Sequence, residues 1–154
     1  MSSQVNRVSP FTKILVPVDG SGASVRAARV AIDMASVHHL PTILLYVVDD
    51  KNVQEMARQS GESEESVRRQ LESKGWSYLE HVTQLAKNHG VSCDRLVRKG
   101  IVHAQISNVV RTEGVDLVVI GSRERQKSRR AFIGSLTEYV IEYVPCSVLV
   151  VKPD

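Results

Sequence analysis

Gly121 and, thirteen positions later, the pair Gly134-Ser135 are the residues of this chain best placed to handle an anion. Gly121 closes the apolar run Leu117-Val118-Val119-Ile120, and Ser135 opens a segment with helical spacing. A loop between two glycines that ends at a helix N-terminus presents free backbone N–H groups and the positive end of a helix dipole, so phosphate is its natural guest. The loop itself is basic: Arg123, Arg125, Lys127, Arg129 and Arg130 surround the single acid Glu124. Those cations attract an anion, whereas the Glu124 carboxylate repels phosphate unless a magnesium ion bridges the two. A solvated basic loop is the plainer alternative.

Two further residues carry a double reading. Ser135-Leu136-Thr137-Glu138 has the spacing of a capping box, which closes a helix start without any ligand and contributes roughly 1 kcal/mol. Asp19, ahead of Gly20-Ser21-Gly22, either hydrogen-bonds a nucleotide or forms a turn by capping its own backbone. The histidines at 38, 39, 81, 89 and 103 show no spacing suited to a metal or a catalytic base, and no catalytic or metal-binding set is assigned.

These residues need elements to position them. Ile14 to Val18 reads as a first strand, stopped by the turn formers at 19–22. Ala27, Ala28, Ala31, Ile32, Met34 and Ala35 then recur at helical spacing. Ile43 to Val48 is apolar throughout, as a strand buried on both faces must be, which predicts a parallel, helix-covered sheet. The segment from Lys51 to Gly61 is polar and unpatterned and reads as a mobile linker. A long helix carrying Val67, Leu71, Tyr78, Val82 and Leu85 follows, interrupted by Gly75, where Trp76 and Tyr78 pack it onto the sheet or a partner chain. Cys93 to Val97, Leu117 to Ile120 and Ser147 to Val151 complete five strands, with four main helices between them. Alternating strands and helices give right-handed crossovers and a doubly wound sheet, whose ligands collect outside the carboxyl ends of the strands. Asp19, Asp49, Gly100 and Gly121 fall on that rim.

Composition bounds the rest. The 154 residues suit one domain, expected over 13–154 behind a flexible arm at 1–12, and the hydrophobic fraction of 42% is that of an ordinary globular chain. The N-terminus lacks the apolar block of a secretory signal, so a cytoplasmic location without membrane attachment is expected. A charge of only +3 with 5% aromatics argues against nucleic-acid binding. Cys93 and Cys146 lie in apolar runs without metal-ligand spacing and read as buried, reduced core residues.

From Lys13 to Pro153 the chain resembles the universal stress protein family. The resemblance rests on Lys-Ile-Leu-Val-Pro-Val-Asp-Gly-Ser at 13–21, Leu-Leu-Tyr-Val-Val-Asp at 44–49 and Gly-Val-Asp-Leu-Val-Val-Ile-Gly-Ser at 114–122. Gly-Ser-Leu-Thr-Glu-Tyr-Val at 134–140 and Pro-Cys-Ser-Val-Leu-Val-Val at 145–151 extend it. ATP-binding members look like Gly-x-x-Gly, a spacer, then Gly-Ser or Gly-Thr; here Gly121, Gly134 and Ser135 stand in register, but Glu124 replaces the second glycine. The resemblance implies a five-stranded parallel sheet of order 3-2-1-4-5, adenine-nucleotide alpha-hydrolase-like, that dimerises through the last strand, Ser147 to Val151. It implies ATP, with Mg2+ where a metal bridges, its adenine resting against Pro17, Val18, Asp19 and Val47 and its phosphates against Gly121, Gly134, Ser135 and Thr137. Ile120, Arg123 and Leu136 complete that set. At most slow ATP hydrolysis is expected, since family likeness supplies no general base.

Glutamate at 124 cannot comfortably adopt a glycine-only backbone angle or let a phosphate approach the main chain. The alternative is therefore a member that has abandoned nucleotide and acts as a dimeric interaction module for an unidentified protein partner. Other classes fail on detail. A dinucleotide fingerprint has Val25 where its third glycine belongs, a phosphoryl-accepting receiver lacks its aspartate at Lys99-Gly100, and no Gly-x-Ser-x-Gly elbow occurs.

Overall fold

In the computed structural model, residues 9–122 and 135–153 are described. Within them β1 (Ile14–Pro17), β2 (Thr42–Asp49), β3 (Cys93–Gly100), β4 (Leu117–Gly121) and β5 (Ser147–Val151) form one all-parallel sheet of order β3-β2-β1-β4-β5. The apolar runs take the middle of the sheet, where both faces are covered: Ile14, Leu15, Leu44, Val118 and Val119 have no exposed surface. The polar strand β3 and the short strand β5, with Ser147 and Leu149 exposed, take the edges.

Two helical layers cover the sheet. On one face α1 (Gly22–His38) and α3 (Glu64–Lys87) pack on Ile14, Val16, Leu44, Tyr46 and Val48. Ser21 caps α1 by accepting from the Ser24 N–H at 3.1 Å, and the buried stripe Ala27, Ala28, Ala31, Ala35 lets the helix lie close to β1 and β4. On the other face α4 (Val102–Glu113) and α5 (Ser135–Tyr143) pack through Ile106, Val109, Val110, Val140 and Val144 onto Leu15, Ile43, Leu45, Val118 and Ile120. No described helix is long and apolar enough to cross a membrane.

Two sequence expectations give way here. The segment taken as a linker is a fifth helix, α2 (Asp50–Ser60), started by the Asp49 carboxylate, which accepts from the Lys51 N–H at 3.1 Å, and ended by Gly61 at φ 76°. Its apolar stripe is short: Val53 is buried, and Met56 and Ala57 pack against the same core. Gly75, in turn, does not interrupt α3, which runs unbroken through it. A Cβ there would sit 2.2 Å from the Tyr46 ring, so the glycine serves the close approach of α3 to β2. Trp76 stays exposed on the outer side of the same helix.

The cysteines are free thiols but only half-buried, because Cys93 opens an edge strand and Cys146 directly precedes the other. Burial, then the neighbouring Asp94, pushes the Cys93 thiol up to about 11; burial, then Asp116, raises Cys146.

Ahead of β1 the chain is pinned by Asp116. Its carboxylate accepts from the Thr12 N–H at 2.9 Å, the Lys13 N–H at 3.0 Å and the Thr12 hydroxyl at 3.0 Å. Partial burial pushes this carboxyl upward, but the Lys13 and Thr12 N–H groups, the Thr12 hydroxyl and its own N–H outweigh burial and hold it below its ordinary 3.8. A carboxyl depressed by folding contributes stability above its unfolded pKa and loses it as pH falls through the lower folded value. Asp116→Asn is therefore expected to reduce stability at pH 7 and to flatten its decline below about pH 4. Urea unfolding at both pH values checks this, and identical acid slopes in the two proteins would refute it.

Candidate functional site

The sheet reverses its winding between β1 and β4, and there the two strands part. Their ladder holds only Ile14 opposite Leu117 and Leu15 opposite Val118, while β1 continues to Pro17 and β4 to Gly121. A crevice beyond the carboxyl ends of the strands at such a reversal is where ligands of this architecture collect. Strand alternation decides what faces it. Leu15, Leu45 and Ile120 share the α4–α5 side with partly buried Val47, and Pro17, two residues beyond Leu15, falls on that side as well. Val18 points the other way and is buried beneath α1 and α3, its N–H bonded to the Leu45 carbonyl at 2.8 Å. Of the apolar residues expected around a base, Pro17 and Val47 thus share a face, together with Ile120 of the wider set, and Val18 does not.

Asp19 realises its turn-forming reading. Oδ1 accepts from the Ser21 N–H at 2.9 Å and the Ser21 hydroxyl at 2.6 Å, and the Asp19 N–H donates to Ser24 Oγ at 3.3 Å. The carboxylate is nevertheless exposed at the rim, so the bonds that shape the turn also fix its position. Gly20 follows at φ 85°, and a Cβ on it would lie 2.4 Å from the Tyr78 ring of α3. Tyr78 in turn meets Tyr46 with centroids 6.0 Å apart and planes tilted by 54°. Burial, then Tyr78, Asp19 and Asp49, raises the Tyr46 phenol above its ordinary 10.0.

The structure gives Gly121 a packing role. A Cβ on it would stand 2.3 Å from the Ala23 carbonyl oxygen in the first turn of α1. Thr137, almost fully buried, donates its hydroxyl to the Gly121 carbonyl at 3.2 Å, joining α5 to the end of β4. Leu136 is half-buried beside it, and the Ser122 N–H is bonded to the Val151 carbonyl at 3.0 Å. Ser135 begins α5. Arg123, Glu124, the rest of the basic run and Gly134 lie outside the described residues.

Sequence reasoning missed Tyr46, Tyr78 and Ser24 as parts of this rim. The signal was available at Gly75, where a glycine inside a strong helical pattern marks close approach by a neighbour. Among the described residues no group of three His, Cys, Asp or Glu could hold a metal ion. The chemistry present is apolar on one side and hydrogen-bonding at the Asp19 turn; the first turns of α1 and α4 hold no acidic residue, whereas those of α2 and α5 hold Asp50 and Glu138. The apolar side suits a flat base. A separate cavity of about 420 Å³, lined by Ser36, His39, Pro41 and His89 among others, lies at the amino ends of the strands, away from this rim.

Residues 10–152 match the family described as the universal stress protein family. Universal stress protein MJ0531 of Methanocaldococcus jannaschii is 30% identical over 142 residues, which cover 92% of this chain and 82% of that protein. The solved structure of MJ0577, from the same organism, superposes with a TM-score of 0.78 at 25% identity, covering 95% of this chain and 99% of that one. The Archaeoglobus fulgidus universal stress protein, solved in complex with dAMP, has a TM-score of 0.67 at 19% identity and covers 94% of this chain and all of its own. Other solved universal stress proteins of this fold are complexes with cAMP and with AMP.

Proposed function

As the chain belongs to the universal stress protein family, we propose that it binds an adenine nucleotide, ATP with Mg2+, at the carboxyl ends of its strands and acts as a dimeric cytoplasmic stress-response module. The observation that carries this reading is the parting of β1 from β4, with Pro17, Val47 and Ile120 on one face beside the Asp19 turn. The base rests against that apolar face. The phosphates extend past Gly121 toward Ser135 and Thr137 at the start of α5, and the motif in the sequence adds Arg123 and Gly134 as their further partners. The chain's own contribution is binding and orientation, and no residue is assigned as a general base.

A calorimetric titration of ligand-free protein with ATP and magnesium tests the reading. A saturable isotherm that vanishes in Gly134→Val supports it, and silence up to millimolar ATP from folded protein overturns it. A second reading, an interaction module without nucleotide, is favoured by Glu124 in the glycine position and by the packing role of Gly121. Under that reading Glu124→Gly creates ATP binding where the natural protein has none.

For the dimer, the supporting feature is the edge strand β5, which pairs with β4 and within which Leu149 is 36% exposed. An apolar edge free of proline and charge invites pairing with a second copy. Leu149→Lys is expected to shift the mass measured by light scattering from dimer to monomer at micromolar concentration. A monomeric natural protein would contradict the proposal.

A further inference from the structure

The flank where α4 meets α5 carries a stack of rings that the proposed nucleotide site does not use. His103, from the first turn of α4, lies against Tyr139 with centroids 4.5 Å apart and planes within 17°. Tyr143, one turn further along α5, completes the group at 6.1 Å from each of the other two. Tyr139 is 46% exposed and Tyr143 is 60% exposed, so solvent reaches both phenol rings.

Among the described residues, the charges that α5 adds to this stack are all of one sign. The last turns of α1, α2, α3 and α4 each hold a basic residue, His38, Arg58, Lys87 and Arg111, complementing the negative end of the helix dipole. The last turn of α5 holds none and carries an exposed acid, Glu142, instead. Helical spacing sets Glu142 three residues from Tyr139, on the same flank, with exposed Glu138 one turn before it. Arg111, the basic residue that closes α4, has its guanidinium on the Ser107 hydroxyl at 3.0 Å. The negative faces of aromatic rings, an uncompensated helix C-terminus and two carboxylates all favour the same guest, a cation.

We infer that the α4–α5 flank is a docking surface for an arginine-bearing segment of a partner protein. A guanidinium is planar, so it stacks on the Tyr139–Tyr143 ring pair while directing its N–H groups to the Glu142 carboxylate, three residues from Tyr139 on the same flank; an ammonium does only the second well. The inference is independent of the nucleotide reading, since it uses residues from neither the β1–β4 crevice nor the Asp19 turn.

Dye-labelled octa-arginine, titrated with the full chain and read by fluorescence anisotropy, tests it. The chain's net charge of +3 repels such a peptide overall, so saturable binding reports a local site. The expected result is saturable binding that weakens at least about fivefold in Tyr143→Ala and in Glu142→Lys, is retained in Tyr143→Phe, and is stronger than that of octa-lysine. Both side chains are exposed, so circular dichroism of the variants should match the natural protein. Absence of saturable binding overturns the inference, as does binding unchanged in both variants. Loss of self-association in Tyr143→Ala with octa-arginine binding unaffected also overturns it, by assigning the flank to a second copy of this chain.

Discussion

Gly121→Ala is expected to destabilise the protein by about 1–3 kcal/mol, the usual range for forcing an extra methyl group into a packed site. The contact is with backbone: the new Cβ would lie 2.3 Å from the Ala23 carbonyl oxygen and 2.7 Å from its carbonyl carbon. No rotamer change relieves that, so either the end of β4 or the first turn of α1 must move. Each holds part of the candidate site. The first carries the carbonyl that Thr137 bonds, and the second is capped by Ser21, which Asp19 holds. Thermal unfolding should fall by roughly 3–10 °C for a chain of this size. ATP affinity, measured well below the transition, should fall with it. A glycine needed only for phosphate approach would give a different result, lost affinity with an unchanged melting temperature, and that result would refute the packing role.

Gly75→Ala should reverse the usual sign of its class. In the middle of a helix, glycine to alanine ordinarily gains about 0.5–1 kcal/mol. Here the added methyl would meet the Tyr46 ring at 2.2 Å, and that ring is 8% exposed, held between α3, Tyr78 and β2. Overpacking of this kind costs about 1–3 kcal/mol, so a net loss near 1–2 kcal/mol is expected. Tyr46→Leu shortens the side chain that the new methyl would strike. Urea unfolding of both single variants and the double variant should show a coupling of about 0.5–3 kcal/mol, with the double variant more stable than the single effects add up to. Additive effects, or a stabilised Gly75→Ala, would mean that the Tyr46 ring swings aside freely.

Both glycines illustrate which parts of the molecule were legible in the chain. Ile43 to Val48 read as a parallel strand because a strand covered on both faces has to be apolar at consecutive positions, and the sheet places it, with β1 and β4, in the middle, the order that the family resemblance implied. Helix α1 was legible from its alanine stripe. Helix α2 was not, because a helix that buries Val53 and little else has almost no periodic signal to offer. Gly75 misled, and Gly121 carries a packing contact the sequence did not announce, for a related reason. A glycine announces that something comes close, but the sequence cannot say whether that is a turn, a phosphate, a tyrosine ring or another stretch of backbone. The rim residues Tyr46 and Tyr78, which lie 32 positions apart, become neighbours only through the crossing of α3 over β2. His103 likewise shows no pattern with Tyr139 until α4 and α5 lie side by side.

The strictly parallel sheet also governs how the protein can be handled. Every strand runs in the same sense, so the chain enters β1 at the pole where Asp116 grips Thr12 and Lys13 and leaves β5 at the opposite pole, where the Val151 carbonyl takes the Ser122 N–H. Thr12 and Lys13 therefore stand at the pole opposite the candidate site, and a tag, fluorophore or tether on that side leaves the rim open. The same attachment after Pro153 sits beside that rim and competes with whatever approaches it.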